Sequence, residues 1–183
     1  MLRHSMARIF NPATLLAGLL LSTSAVAINK DFEQPIKIAS KYQSADGINK
    51  LSIFRENVRI SQGSMSINAD ELQVDAGQGE GREVFIAMGQ PASYEQTMED
   101  GSRIRAEANH IEYRVNERTL TLSGDAQLQQ NNSKVSGESI LFNMEKEQLI
   151  AQGSDDGEGR VVTIFQPEPK KGPSEDKKQE KKP

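Results

Sequence analysis

The chain has 183 residues, no cysteine, no tryptophan and only 5% aromatic residues, with a formal net charge of −4. An acidic chain argues against nucleic acid as a partner, because phosphates call for a basic surface. Without cysteine neither a disulfide-stapled fold nor thiol chemistry is available, and so few aromatic residues suit a thin sandwich or open sheet better than a thick core.

Residues 1–27 read as a secretion signal. Arg3 and Arg8 give a positive start, an apolar run from Ala13 to Leu21 follows, and Ala25-Val26-Ala27 has the small-x-small form of a signal-peptidase site. The run is far shorter than the roughly 20 apolar residues of a spanning helix. The mature chain is expected to begin at Ile28, as a soluble secreted protein. Removing the signal leaves enough residues for one domain of ordinary size, over residues 28–166.

Within that domain short alternating runs follow one another. Ile36-Lys37-Ile38, Leu51-Ser52-Ile53, Val58-Arg59-Ile60, Met65-Ser66-Ile67-Asn68-Ala69 and Leu72-Gln73-Val74 come first. Ile104-Arg105-Ala106-Glu107-Ala108, Ile111-Glu112-Tyr113-Arg114-Val115, Leu120-Thr121-Leu122, Ala126-Gln127-Leu128 and Val161-Val162-Thr163-Ile164-Phe165 continue them. Asp46-Gly47, Gln62-Gly63, Asp100-Gly101, Asn131-Asn132 and Gly153 punctuate the runs. Such spacing predicts consecutive antiparallel strands joined by tight turns. No apolar pattern of helical period persists after residue 28.

The runs also repeat. Residues 65–74 can be laid on 104–113 and on 133–142, each copy placing a small residue (Ala69, Ala108, Gly137) before a polar corner. Asn57-Val58, Pro91-Ala92 and Asp125-Ala126 each open a new strand and are evenly spaced. Stacking such units makes one long coiled sheet, an all-β trough with an aliphatic interior and a charged exterior. Its two ends are open strand edges, which invite another copy to pair there. From Pro167 the chain is rich in lysine and lacks apolar residues to bury, so residues 167–183 are expected to be a disordered, solubilising tail.

Catalytic and metal-binding signals are weak. After His4 leaves with the signal, His110 stands alone, and it reads as a surface strand residue rather than a base. Asp155-Asp156-Gly157-Glu158-Gly159 lacks the ligand spacing of a calcium loop and reads as a hairpin turn. Gly77-Gln78-Gly79-Glu80-Gly81 has no phosphate-cradle spacing and reads as a mobile loop; Asn131-Asn132-Ser133 reads as a turn rather than a glycosylation site. No enzyme activity, metal or cofactor is expected.

The ordered series of segments resembles a known family. Residues 34–38, then Asn57-Val58, Gln62-Gly63, Ile67-Asn68-Ala69-Asp70, Pro91-Ala92, residues 122–130 and Arg160-Val161-Val162-Thr163 look like successive segments of the OstA-like family of periplasmic lipopolysaccharide-transport bridge proteins. The likeness covers nearly all of residues 28–166. One departure is Glu56, where the family usually has glycine before Asn57-Val58.

The resemblance implies an open, twisted β-jellyroll of many antiparallel strands in the periplasm. Its apolar trough would carry the acyl chains of lipopolysaccharide between inner- and outer-membrane components. Copies would stack head to tail, and related jellyroll domains of those membrane components would be partners. Ile36, Ile38, Phe54, Ile67, Tyr94, Ile111, Tyr113 and Val115 are the inward positions expected to contact lipid. The two tyrosines are expected to touch acyl chains while their hydroxyls stay hydrated. Ile36 and Ile38 at one edge, with Val161, Val162, Ile164 and Phe165 at the other, are the expected assembly surfaces. A structural scaffold that polymerises through its edges without lipid is the alternative, and lipid-dependent tyrosine fluorescence would separate the two. A polysaccharide-active enzyme would need paired carboxylates across a cleft, whereas the acids here lie mostly on the polar side of the alternation.

Overall fold

The alternation is realised as a sheet whose long strands are bent in the middle. The computed structural model describes residues 31–154 and 159–167; the expected signal segment, most of the Lys-rich tail and residues 155–158, where the sequence predicts a hairpin turn, lie outside the described residues. A single turn of 3-10 helix at Asp31–Glu33 leads into ten strands. They are β1 (Lys37–Ala39), β2 (Tyr42–Asp46), β3 (Leu51–Gln62), β4 (Met65–Asp75), β5 (Val84–Thr97), β6 (Arg103–Arg114), β7 (Thr119–Gln130), β8 (Ser133–Asn143), β9 (Gln148–Gln152) and β10 (Val162–Phe165). All neighbours are antiparallel, and β3 to β8 form an uninterrupted meander.

Each long strand contains two of the short runs seen in the sequence, joined through a corner rather than a turn. The register slips at Arg55/Val58, Asn68/Glu71, Met88/Ala92, Glu107/His110 and Ser123/Ala126. The side-chain parity follows the slip. In β6, Ile104, Ala106 and Ala108 are buried before the corner and Ile111 and Tyr113 after it, while Arg103, Arg105 and Glu107 are exposed. A one-residue change of phase is what a bulge produces, and it lets one strand present apolar residues to the same core from two directions. Asn57-Val58, Pro91-Ala92 and Asp125-Ala126 are therefore corners of β3, β5 and β7, not strand openings, and Ala69, Ala108 and Gly137 are the corners of β4, β6 and β8. The repeated unit is the hairpin.

Small residues at the corners have a steric reason. A Cβ added to Gly89 would stand 2.9 Å from the Ala92 nitrogen, and the Gln90–Pro91 peptide beside it is cis. In β3 the bend is made by two successive left-handed residues, Glu56 (φ 63°) and Asn57 (φ 54°). Left-handed backbone is unfavourable for a residue with a Cβ, by about 1–2 kcal/mol, and natural for glycine. A glycine at position 56, which the resemblance leads one to expect, would adopt this backbone without strain, whereas Glu56 does so at a cost.

Bending divides the sheet into two faces that pack on one another. The first face holds β1, the second half of β3, the first half of β4 and so on to the first half of β8 and β10. The second holds β2, the first half of β3, the second half of β4 and so on to the second half of β8 and β9. One apolar cluster lies between them, and it includes Phe54, Ile60, Ile67, Leu72, Phe85, Tyr94, Ile111, Tyr113, Leu122, Ile140 and Phe142. Each fully buried aliphatic or aromatic side chain contributes about 1.5–3 kcal/mol. The outer sides carry charge: Arg105 meets Glu95, its direct cross-strand neighbour, at 3.2 Å, and Arg55 meets Glu71 at 2.6 Å. The glycine-rich segment after β4 is held by turn hydrogen bonds, Gly79 to the Ala76 carbonyl and Arg82 to the Gly79 carbonyl.

Candidate functional site

Inward side chains line up across the sheet in register. On the first face one row reads Ile38, Ile60, Ile67, Tyr94, Ala106, Leu128, Val135 and Thr163, from the β1 edge to the β10 edge. Opposite it, on the second face, runs Gln43, Phe54, Leu72, Ala87, Ile111, Leu122, Ile140 and Ala151. A third row holds Ala45, Ser52, Val74, Phe85, Tyr113, Leu120, Phe142 and Leu149. The rows run perpendicular to the strands, so the lining extends along the stacking direction, apolar from β4 to β8 with Gln43, Ser52 and Thr163 as polar positions near the two edges.

Phe54, Ile67, Tyr94, Ile111 and Tyr113 are buried in these rows, whereas Ile36, Ile38 and Val115 are partly buried and pack against the same cluster. Tyr94 and Tyr113 face each other across the two sheets with ring centroids 6.3 Å apart, and Phe85 lies 6.4 Å from Tyr113. Both residues are buried rather than facing solvent, contrary to the sequence expectation. Tyr94 is 0% exposed and donates to Gln96 Oε1 at 2.5 Å, while its oxygen also lies 3.5 Å from Met144 Sδ. Tyr113 is 1% exposed, and its hydroxyl makes no hydrogen bond among the described residues. Burial raises the pKa of Tyr94 well above the usual phenol value and that of Tyr113 to about 12, the positive charge of Arg118 working against the latter shift.

Polar residues that alternation did not single out also point inward near the open side opposite the corners. Gln62 and Gln96 are buried there, and Gln130 is partly buried. The trough is thus apolar along its bend and amide-lined near its mouth. Outside the bend lies a broad groove of about 1010 Å³, lined in part by Asp70, Glu71, Glu107, His110 and Asp125. His110 belongs to that outer groove and not to the interior. Among the described residues no group of three or more His, Asp or Glu side chains converges to hold a metal, and no helix is long and apolar enough to cross a membrane.

The ends of the rows are strands with one neighbour each. At one end Ile36 precedes β1 and Ile38 lies within it; at the other Val162, Ile164 and Phe165 of β10 are exposed, as is Val161 just before it. Register places Thr163 and Phe165 on the inward side and Val162 and Ile164 on the outward side.

The family model described as "LptA/(LptD N-terminal domain) LPS transport protein" matches residues 37–148. The chain belongs to that family. Across this LptA/LptD N-terminal domain family, it is 35% identical over 160 residues to the lipopolysaccharide export system protein LptA of Haemophilus influenzae, covering 86% of this chain and 92% of that one. It is 36% identical over 156 residues to LptA of Escherichia coli K12, with 84% and 83% covered. The crystal structure of LptH, described as the LptA-homologous periplasmic component of the lipopolysaccharide transport device of Pseudomonas aeruginosa, superposes with a TM-score of 0.68. That superposition covers 75% of this chain and 99% of LptH at 24% identity, and it establishes the shared fold. The open, antiparallel, almost helix-free sheet of the family is the architecture expected from the alternation.

Proposed function

We propose that this chain is a periplasmic carrier that holds the acyl chains of lipopolysaccharide in its trough and joins like jellyroll domains head to tail, bridging inner- and outer-membrane transport components. The observation that carries this is the set of inward rows, apolar from β4 to β8, that run between two unpaired edges. A lipid tail lying along those rows passes from one edge to the other without meeting a charged side chain. The relatives' names as lipopolysaccharide export proteins, and the secretion signal in residues 1–27, point the same way.

Strand parity supports the assembly. The first face counts an even number of strands (β1, β3, β4, β5, β6, β7, β8, β10), and so does the second, where β2 and β9 are terminal. Directions alternate, so β10 of one copy is antiparallel to β1 of a second copy placed in the same orientation, and β9 to β2. Both contacts extend the ladder without inverting a molecule, and a heterologous contact of this kind forms open filaments rather than closed dimers. Residues Ile36, Ile38, Val161, Val162, Ile164 and Phe165 would lie in that junction.

The test is crosslinking in living cells. A photoreactive residue placed at Ile67, Ile111 or Ile38 should capture lipopolysaccharide, and one at the outward neighbour Glu112 should not. Capture that is absent inside, or equal at Glu112, removes the trough assignment. One observation favours the scaffold alternative: Tyr94, Ile111, Tyr113 and Leu122 fill the interior themselves, at 0–1% exposure. Filaments that assemble without any inward capture would select it.

A further inference from the structure

A short N-terminal segment crosses the open side of the jellyroll and is attached to both faces. Its carboxylate, Asp31, accepts hydrogen bonds from Ser64 Oγ in the β3–β4 turn and from Gln96 Nε2 at 3.5 Å. Its backbone lies so close to Gly63 that a Cβ there would stand 2.8 Å from the Asp31 Cα. Gln62 Nε2 donates to the carbonyls of Phe32 and Gln34 at 3.3 and 3.0 Å. All of these partners belong to the first face. The Phe32 ring turns to the second face, where the guanidinium of Arg118, in the β6–β7 turn, sits 4.2 Å above its centroid.

Phe32 packs against the core and lines a recess of about 180 Å³ between the faces, together with Gln96, Met98, Arg118 and Met144. We propose that this recess is the port through which a lipid acyl chain enters the trough, and that residues 31–34 are a latch whose Phe32 ring occupies the port until lipid displaces it.

Three observations converge on the port. Its walls include Met98 and Met144, unbranched side chains that re-pack around an incoming chain at little cost. The latch leads straight into the interior, since Asp31 contacts Gln96, Gln96 accepts from Tyr94, and Tyr94 touches Met144. Deeper in, Tyr113 lies 6.3 Å by ring centroid from the Tyr94 that touches Met144, and its orphan hydroxyl is a donor that an ester or hydroxyl oxygen of a lipid would satisfy. Glu99, Glu145 and Glu147 also line the recess, so an anionic head group is repelled there and stays outside. Away from the open side and the two end edges, entry would require parting a strand ladder. Here only rim hydrogen bonds and one stacked ring are exchanged.

Because the port rests on the carrier function proposed above, the experiment separates the two. The chain has no cysteine, so the double variant Asp31→Cys/Ser64→Cys can be locked by oxidation and released by reduction. Binding of lipopolysaccharide labelled on its sugar is measured for the wild type, both redox forms and Phe32→Ala, with circular dichroism recorded for each. If the closed latch depletes the competent state, the oxidised form should bind about tenfold or more weakly, reduction should restore binding, and Phe32→Ala should associate about threefold faster or more. A folded oxidised form that binds like the wild type overturns the latch and leaves the carrier intact. A wild type that binds no lipopolysaccharide overturns the carrier, and the port with it. Should the oxidised form not fold, an unchanged association rate in Phe32→Ala alone overturns the latch.

Discussion

Replacing Tyr113 by phenylalanine should make the protein more stable. The ring is 1% exposed, packed 6.4 Å from Phe85 and 6.3 Å from Tyr94, and phenylalanine keeps both contacts. What it removes is a buried hydroxyl without a partner, and such a group costs about 1–3 kcal/mol. Tyr113→Phe should therefore raise the unfolding free energy by about that amount. Tyr94→Phe should do the opposite, because its hydroxyl donates to Gln96 Oε1 and the loss leaves that buried oxygen unpaired; about 1–3 kcal/mol is expected. With a urea m-value of about 1–3 kcal/mol/M, the two midpoints should move apart by roughly 2 M. Urea titration followed by far-ultraviolet circular dichroism reads both. A Tyr113→Phe variant less stable than the wild type would mean that the hydroxyl has a partner and that the packing argument is wrong. If that hydroxyl serves lipid, the same variant should bind lipopolysaccharide more weakly while being more stable.

The remaining expectations concern pH, the β3 corner and the C-terminal edge. Both buried tyrosines have folded-state pKa values raised above the unfolded value, so their neutral forms contribute stability that is intact below pH 10 and is lost as pH rises through the folded pKa. For Tyr113 the loss between pH 10 and 12 should be on the order of 1.4 kcal/mol per pH unit, and alkaline denaturation of Tyr113→Phe should lack that contribution. Glu56→Gly relieves the left-handed strain and should be about 1 kcal/mol more stable than Glu56→Ala, which keeps it; the exposed Lys41–Glu56 pair, at 3.0 Å, is lost in both variants and cancels. Thermal unfolding of the two variants side by side measures the difference. In sedimentation velocity, a chain ending at Gln166 should form concentration-dependent linear oligomers, and one ending at Gly159, which lacks β10, should stay a folded monomer. The reverse would place the assembly surface elsewhere.

Several features of the fold were legible because they depend only on neighbours along the chain. Period-2 alternation in 104–108 and 111–113 shows which side chains share a face, and a one-residue phase change marks where the strand must bend. Of the inward positions expected, Phe54, Ile67, Tyr94, Ile111 and Tyr113 are buried, and Ile36, Ile38 and Val115 are partly buried against the same cluster. The small residues Ala69, Ala108 and Gly137 identified half of the corners. Other strands escaped notice for a physical reason. Every residue of β2 is exposed and β9 is nearly so, so neither carries an alternating signal; they are strands because β3 and β8 offer them a ladder. The first half of β5, Val84-Phe85-Ile86-Ala87-Met88, is apolar throughout and lacks the period altogether.

What composition and alternation determined, then, was an all-β chain with an apolar interior and two unpaired edges, since each of those is a local property of side-chain order. Only the tertiary structure decided that the short runs join into bent strands and that Gln62 and Gln96 point inward. It also set a buried, unpartnered hydroxyl on Tyr113 and drew the isolated Phe32 across the mouth beneath Arg118. Those outcomes depend on where two faces of one sheet come together, and residues more than eighty positions apart in sequence, such as Phe32 and Arg118, have no periodicity in common through which to announce it.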